Sequence, residues 1–196
     1  MSARSLVIVS MIAASLSGGL DGARAAEVIR DFETNSLSGL KVTGNAPTVQ
    51  SSIKRLRSYS SRSYLNRYTS NVPNRTEVRV LAPDPIVNQE YWYGFSIYLP
   101  ADHVPDNVAW EIVAQWHGIP DQGELHHNPP FSRSTFRGVW KLNNKWSSAP
   151  ITTSSNQQTR TFNFGTCALG RWTDWVFRIK MVVWGRRHSR GVAERE

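Results

Sequence analysis

Two side chains in one short stretch have the types and the spacing to act on an acidic substrate. They are Gln115 and His117, in Trp110-Glu111-Ile112-Val113-Ala114-Gln115-Trp116-His117. β-Branched and aromatic residues fill this run and Gly118-Ile119-Pro120 closes it, so it reads as a strand entering a turn. Alternation along a strand puts Trp110, Ile112, Ala114 and Trp116 on one apolar face, fit for burial. It puts Glu111, Val113, Gln115 and His117 on the other. Gln115 and His117 then stand about 7 Å apart on a rigid support. An amide held there can hydrogen-bond a carboxylate, and an imidazole beside it can take a proton near neutral pH. A strand end whose polar residues simply meet water is the plainer alternative.

A second run, Arg75-Thr76-Glu77-Val78-Arg79-Val80-Leu81, alternates just as strictly. Arg75, Glu77 and Arg79 share one face, and Thr76, Val78 and Val80 the other. Taken alone, the charged face fits a salt-bridged solvent surface as well as it fits a site. Asn74-Arg75-Thr76 also fits an N-glycosylation acceptor.

The elements that must position these residues are short strands between turns. Val28–Glu33 reads as a strand, with turns through Asn35–Gly39 and Asn45-Ala46-Pro47. Val49–Tyr68 is rich in Ser, Arg and Tyr, with a loop at Ser60–Ser63 and an edge strand from Tyr64 to Tyr68. Asn71-Val72-Pro73-Asn74 and Pro83-Asp84-Pro85 break the chain before the aromatic strand Tyr91–Pro100, whose rings suit core packing better than a sugar platform. Residues 118–130 form a loop; its adjacent His126 and His127 do not by themselves make a metal site. Phe131–Leu142 is a loosely alternating strand that turns at Asn143-Asn144, and Thr159–Phe164 is another strand. Trp172–Trp184 is the last, with Trp175, Phe177, Ile179, Met181 and Val183 on one face. With no long helix and no repeat, the expectation is an all-β sandwich or jelly roll. From Gly185 to Gly191 no period survives, and the end of the chain is expected to be disordered.

The 196 residues suffice for one domain with a sizeable core. Arg4, an apolar run from Leu6 to Leu20 and Ala23-Arg24-Ala25 read as a secretory leader, cleaved near Ala25 or Ala26 and outside the fold. That divides the chain into residues 1–25, a domain at 26–180 and a basic tail at 181–196, and makes the protein secreted or periplasmic. The sole cysteine, Cys167, excludes an internal disulfide and a multi-cysteine zinc site. Losing Arg4, Arg24 and Asp21 with the leader takes the net charge from +8 to +7. Such a charge points to an anionic partner: polysaccharide, lipid or nucleic acid. No second apolar run is long enough to span a bilayer.

Arg75-Thr76-Glu77-Val78-Arg79 and Gln115-Trp116-His117, with Tyr91–Pro100 between them, resemble the jelly-roll polysaccharide lyases. This is the broad group of alginate lyases, glucuronan lyases and type I heparin lyases. Trp92–Pro100, Gln115-Trp116-His117-Gly118 and Gly170-Arg171-Trp172-Thr173-Asp174-Trp175 look most like the heparin-lyase-like branch. Asp31-Phe32-Glu33-Thr34 through Leu37-Ser38-Gly39 is similar too, and the likeness runs from about Phe32 to Lys180.

The resemblance implies β-elimination at a uronic acid: the C5 proton is removed, the enolate is held, and the C4 oxygen leaves. The C5 proton is acidic enough only if the neighbouring carboxylate is neutralised. Gln115, helped by Arg75, would bind that carboxylate. His117 would be the base or share that role, and Arg79 and Glu77 would line the groove. The partner would be an anionic uronate polysaccharide, with no nucleic acid, no membrane after cleavage, and a monomeric chain. No cofactor is required; a structural calcium, with Asp31 and Glu33 as candidate ligands, is the one addition the likeness offers. The rival reading is a non-catalytic carbohydrate-binding jelly roll.

One part of the group's pattern is absent. Its late Tyr-Phe-Lys-x-Gly-x-Tyr strand supplies a tyrosine that acts as acid and often as base, whereas no tyrosine follows Tyr98 here. The chain is therefore expected to be truncated or frame-shifted from about Met181, with a sheet edge exposed and activity impaired. The lyase reading also requires the Arg75 and Gln115 strands to be neighbours facing the same sugar acid.

Overall fold

The computed structural model describes residues 4–16, 27–66, 75–81, 85–118, 120, 124, 129–149 and 151–182. The sequence motifs at Asn74, at His126 and His127, at the leader cleavage site and from Val183 onward lie outside the described residues. Among the described residues the chain forms strands only. These are β1 (Arg4–Leu16), β2 (Glu27–Arg30), β3 (Leu40–Gly44), β4 (Thr48–Gln50), β5 (Ser60–Asn66) and β6 (Thr76–Val80). They continue as β7 (Glu90–Leu99), β8 (Glu111–Trp116), β9 (Phe131–Phe136), β10 (Val139–Trp146), β11 (Gln158–Thr166) and β12 (Arg171–Lys180).

The strands make two facing sheets and a ribbon. One sheet runs β12-β7-β1-β5-β4, with β2 also paired to β1; the second runs β11-β10-β9-β8; the ribbon is β3-β6. Every ladder between these strands is antiparallel. The protein is an all-β sandwich of jelly-roll type.

Alternation makes the core. β7 turns Tyr91, Tyr93, Phe95, Ile97 and Leu99 toward the second sheet, with Ile97 and Leu99 almost wholly buried. β12 adds Trp175, Phe177 and Ile179, as its spacing predicts. From the other side Trp116 meets Tyr93, Phe95 and Phe177 at ring separations of 5.2, 6.4 and 5.7 Å. Phe131 meets Phe177 at 5.5 Å and Trp140 meets Trp175 at 5.4 Å.

Two expectations are corrected. The expected loop Ser60–Ser63 is the first half of β5. The hairpin after Phe131 turns at Arg137-Gly138, not at Asn143-Asn144, which lies inside β10. Arg137 and Gly138 both take positive φ, 51° and 71°, as a two-residue turn matched to strand twist requires. Part of the apolar run read as a leader, Arg4–Leu16, forms β1 and pairs with β5 on one edge and β7 on the other.

The core also holds a cation that the polar setting Ser132-Arg133-Ser134 gave no reason to turn inward. Arg133 is fully buried, and among the described residues Nε, Nη1 and Nη2 have no hydrogen-bond partner. Its guanidinium instead lies over Trp175 at 3.4 Å, Phe164 at 4.7 Å and Trp140 at 5.0 Å. Cation–π attraction offsets part of the desolvation, and burial still pushes the group down to about 10. Arg133→Met keeps the volume and removes the buried charge, so it should raise unfolding stability by about 1–2 kcal/mol in urea titration. A loss of similar size would mean that the aromatic box outweighs the burial.

Cys167 lies in the same core, and burial pushes its thiol up to about 11. The folded chain thus keeps a proton that the unfolded chain releases near pH 9. This contribution is fully present below about pH 9 and is lost as pH rises toward 11. The depressed Arg133 acts with the opposite sign, but only from about pH 10 upward. Between pH 9 and 10 the wild type should lose about 1 kcal/mol more stability than Cys167→Ala, measured by urea unfolding at both pH values.

Candidate functional site

The site is built on the outer face of the second sheet. β8 pairs with β9 as Glu111↔Thr135 and Ile112↔Ser134, then skips Val113 and resumes as Ala114↔Arg133, Gln115↔Ser132 and Trp116↔Phe131. That bulge re-aims half the strand. The expected single apolar face does not exist: Trp110 and Ile112 are 43% and 50% exposed, while Ala114 and Trp116 pack on the core. Glu111 turns inward, accepting a hydrogen bond from Thr135 Oγ1 at 2.7 Å and standing 3.4 Å from the buried His103 Nε2.

Gln115 lies on the face away from the core in one row with the buried Ser132, and the ladders extend that row across the sheet to Asn143 and Thr161. Thr161 Oγ1 donates to Asn143 Oδ1 at 2.7 Å. The neighbouring row is Ile112, Ser134, Lys141 and Asn163, where Lys141 Nζ donates to Asn163 Oδ1 at 2.7 Å. One end of the face carries Trp110 stacked on Phe136, rings 5.2 Å apart and 8° from parallel. At the other end His117 follows directly on β8 and is exposed. The surface thus offers amide, hydroxyl and ammonium groups between an aromatic pair and an imidazole. Such a surface can stack a sugar ring, bind its hydroxyls and hold a carboxylate.

The arginine motif is placed elsewhere. β6 pairs with β3 in the ribbon, with Arg79 opposite Lys41 and Glu77 opposite Thr43. Arg75 is exposed just before the strand, its Nε 3.6 Å from Glu77 Oε2. The expectation that this strand is the hydrogen-bonded neighbour of β8 is corrected: the two belong to different sheets. The register Leu40↔Val80 to Gly44↔Thr76 commits one edge of β6 to β3, and among the described strands neither its other edge nor the outer edge of β8 is paired.

The polysaccharide lyase family matches residues 23–191, most of the chain. The chain belongs to that family. No curated protein and no solved structure matches it. In this polysaccharide lyase the family match starts beside Ala23-Arg24-Ala25 and runs through every strand from β2 to β12.

The lyase uses its early carboxylates to fasten a loop. Asp31 pairs with Arg57 at 3.0 Å and accepts from the Glu33 amide, and the Glu33 carboxylate accepts from the amides of Ser58 and Tyr59. A cation at this point would displace a guanidinium and amide donors, so Asp31 and Glu33 do not fit a calcium site of six or more oxygens. Asp174 holds the same loop through Arg55 at 2.8 Å, and that guanidinium and Ser96 hold its carboxyl below the usual carboxylate range. Trp172 Nε1 donates to the Lys54 carbonyl. The Trp172–Asp174 motif of the lyase is thus a loop clamp on the face remote from Gln115.

Sequence reading missed Trp110, Phe136, Lys141, Asn143 and Asn163. Alternation in β10 carries Lys141 and Asn143 to one side, but only a correct Arg137-Gly138 turn sets that side opposite Ser134 and Ser132.

Proposed function

We propose that this lyase cleaves a uronic-acid-containing polysaccharide by β-elimination on the outer face of the β8–β11 sheet. The observation that carries the reading is the shared face of Gln115, Lys141, Asn143 and Asn163, with His117 at its end. Gln115 holds the uronate carboxylate and draws charge from C5, and Lys141 adds positive charge farther along the face. His117 takes the C5 proton, the C–H electron pair becomes the C4–C5 double bond, and the C4–O bond breaks. The imidazolium can return its proton to the departing oxygen, so no water is consumed. Arg75, Arg79 and Glu77 stand on the ribbon, in a different sheet from Gln115, and this reading gives them no contact with the reacting sugar. The N-terminal pattern supports export to the periplasm or medium, where such a polymer would be met as a monomer's substrate.

The exposed Trp110–Phe136 stack favours a second reading, a carbohydrate-binding protein without catalysis. Incubation with glucuronan, alginate and heparin-type polymers, following both binding and unsaturated-uronate absorbance, separates the two. The lyase reading expects absorbance to rise with at least one polymer and binding to weaken several-fold as salt approaches physiological strength. Binding with no new absorbance for any polymer contradicts it and favours the second.

A further inference from the structure

The first sheet has a strand position that none of the described strands from β2 to β12 fills. β1 occupies it, running antiparallel to a strand on each side. Arg4–Val9 pair with β5, Ile12–Ser15 pair with β2 on the same edge, and Ile8–Leu16 pair with β7 on the other. β7 has β12 on its far side and β5 has β4, so among the described strands only β1 joins β5 to β7. β2 has no other ladder partner among the described strands. It also ties the ribbon to the sheet, since Arg30 donates to the carbonyls of Gly39 and Leu81.

The same residues carry the leader pattern. One segment cannot both be discarded at Ala25 and complete this sheet. Removing it would leave facing rows of unpaired N–H and C=O groups on β5 and β7, and such rows recruit a strand.

We propose that the gap between β5 and β7 is a strand-acceptor groove, and that its occupant is this chain's own segment Arg4–Leu16, held by the backbone ladder whether or not it stays covalently attached. The register above selects that occupant: one edge is paired at Arg4–Val9 and Ile12–Ser15 and the other from Ile8 to Leu16. Cleavage at the leader site then nicks the protein without emptying the groove.

The test uses the full chain with a specific protease site placed between residues 17 and 26, cut after folding. The N-terminal fragment should co-elute with the remainder, and isotopically labelled peptide 4–16 should exchange into the complex where a scrambled peptide does not. Amide exchange at 61–66 and 91–98 should stay slow while the fragment is bound, and should quicken at least about tenfold when it is stripped away. If the fragment leaves while those amides stay slow, β5 and β7 have another partner and the proposal is wrong. In the uncut chain, Val9→Pro removes a donor on one edge of β1 and should raise exchange in the segment facing that edge, around Ser61 or around Ile97. Unchanged exchange in both segments would also overturn it.

Discussion

His117→Ala and Gln115→Ala should each lower kcat/KM for polymer cleavage by about 100-fold or more, and His117→Ala by as much as about 10,000-fold. Polymer binding should change only a few-fold, because the Lys141–Asn143 face and the Trp110–Phe136 stack remain. The two losses differ in kind. Removing His117 removes the group that carries the proton, a purely kinetic loss. Removing Gln115 leaves the carboxylate less neutralised, so the loss is largest where negative charge grows on it during C5 deprotonation. Initial rates from unsaturated-uronate absorbance, with binding measured on the same variants, check both. A His117→Ala protein with undiminished kcat would move the base to another residue.

Trp116→Ala should destabilise the fold by about 3–5 kcal/mol, read from urea or thermal unfolding. Trp116 joins the two sheets: its ring contacts Tyr93 and Phe95 of β7 and Phe177 of β12, and lies 5.0 Å from Phe131 on its own sheet. No neighbour can fill the space without moving a strand. Trp116→Phe keeps part of the ring contact and should cost less than half as much. Because Gln115 and His117 flank this anchor, the alanine variant should also lose activity at temperatures where it is still folded. Loss of stability without that early loss of activity would show that the site does not depend on the anchor.

The core and the site were legible to different degrees, for physical reasons. The inward rings of Tyr91–Leu99 and of Trp175, Phe177 and Ile179 follow from period-two alternation in uninterrupted strands, and alternation needs no partner to be read. The β8 face fails where a partner intervenes. The extra residue at Val113 is defined only against Ser134 and Arg133 of β9, and it turns Trp110 and Ile112 outward and Glu111 inward. Gln115 kept its predicted exposure to the polar side because it follows the bulge. Arg133 was unreadable for a related reason: a cation enters a core only where rings surround it, and Trp140, Phe164 and Trp175 come from three other strands. Register across sheets decides the arginine motif as well. The alternation of Arg75, Glu77 and Arg79 is intact, yet pairing with Lys41 and Thr43 puts those residues on the ribbon, away from the β8 ladder.

The most direct measurement is the mass of the oligosaccharides released from a defined uronate oligomer by the wild-type chain. Elimination predicts two fragments whose masses sum to that of the parent, one of them ending in an unsaturated uronate. Fragments that together exceed the parent by one water would mean hydrolysis, and would contradict proton abstraction at C5 by His117.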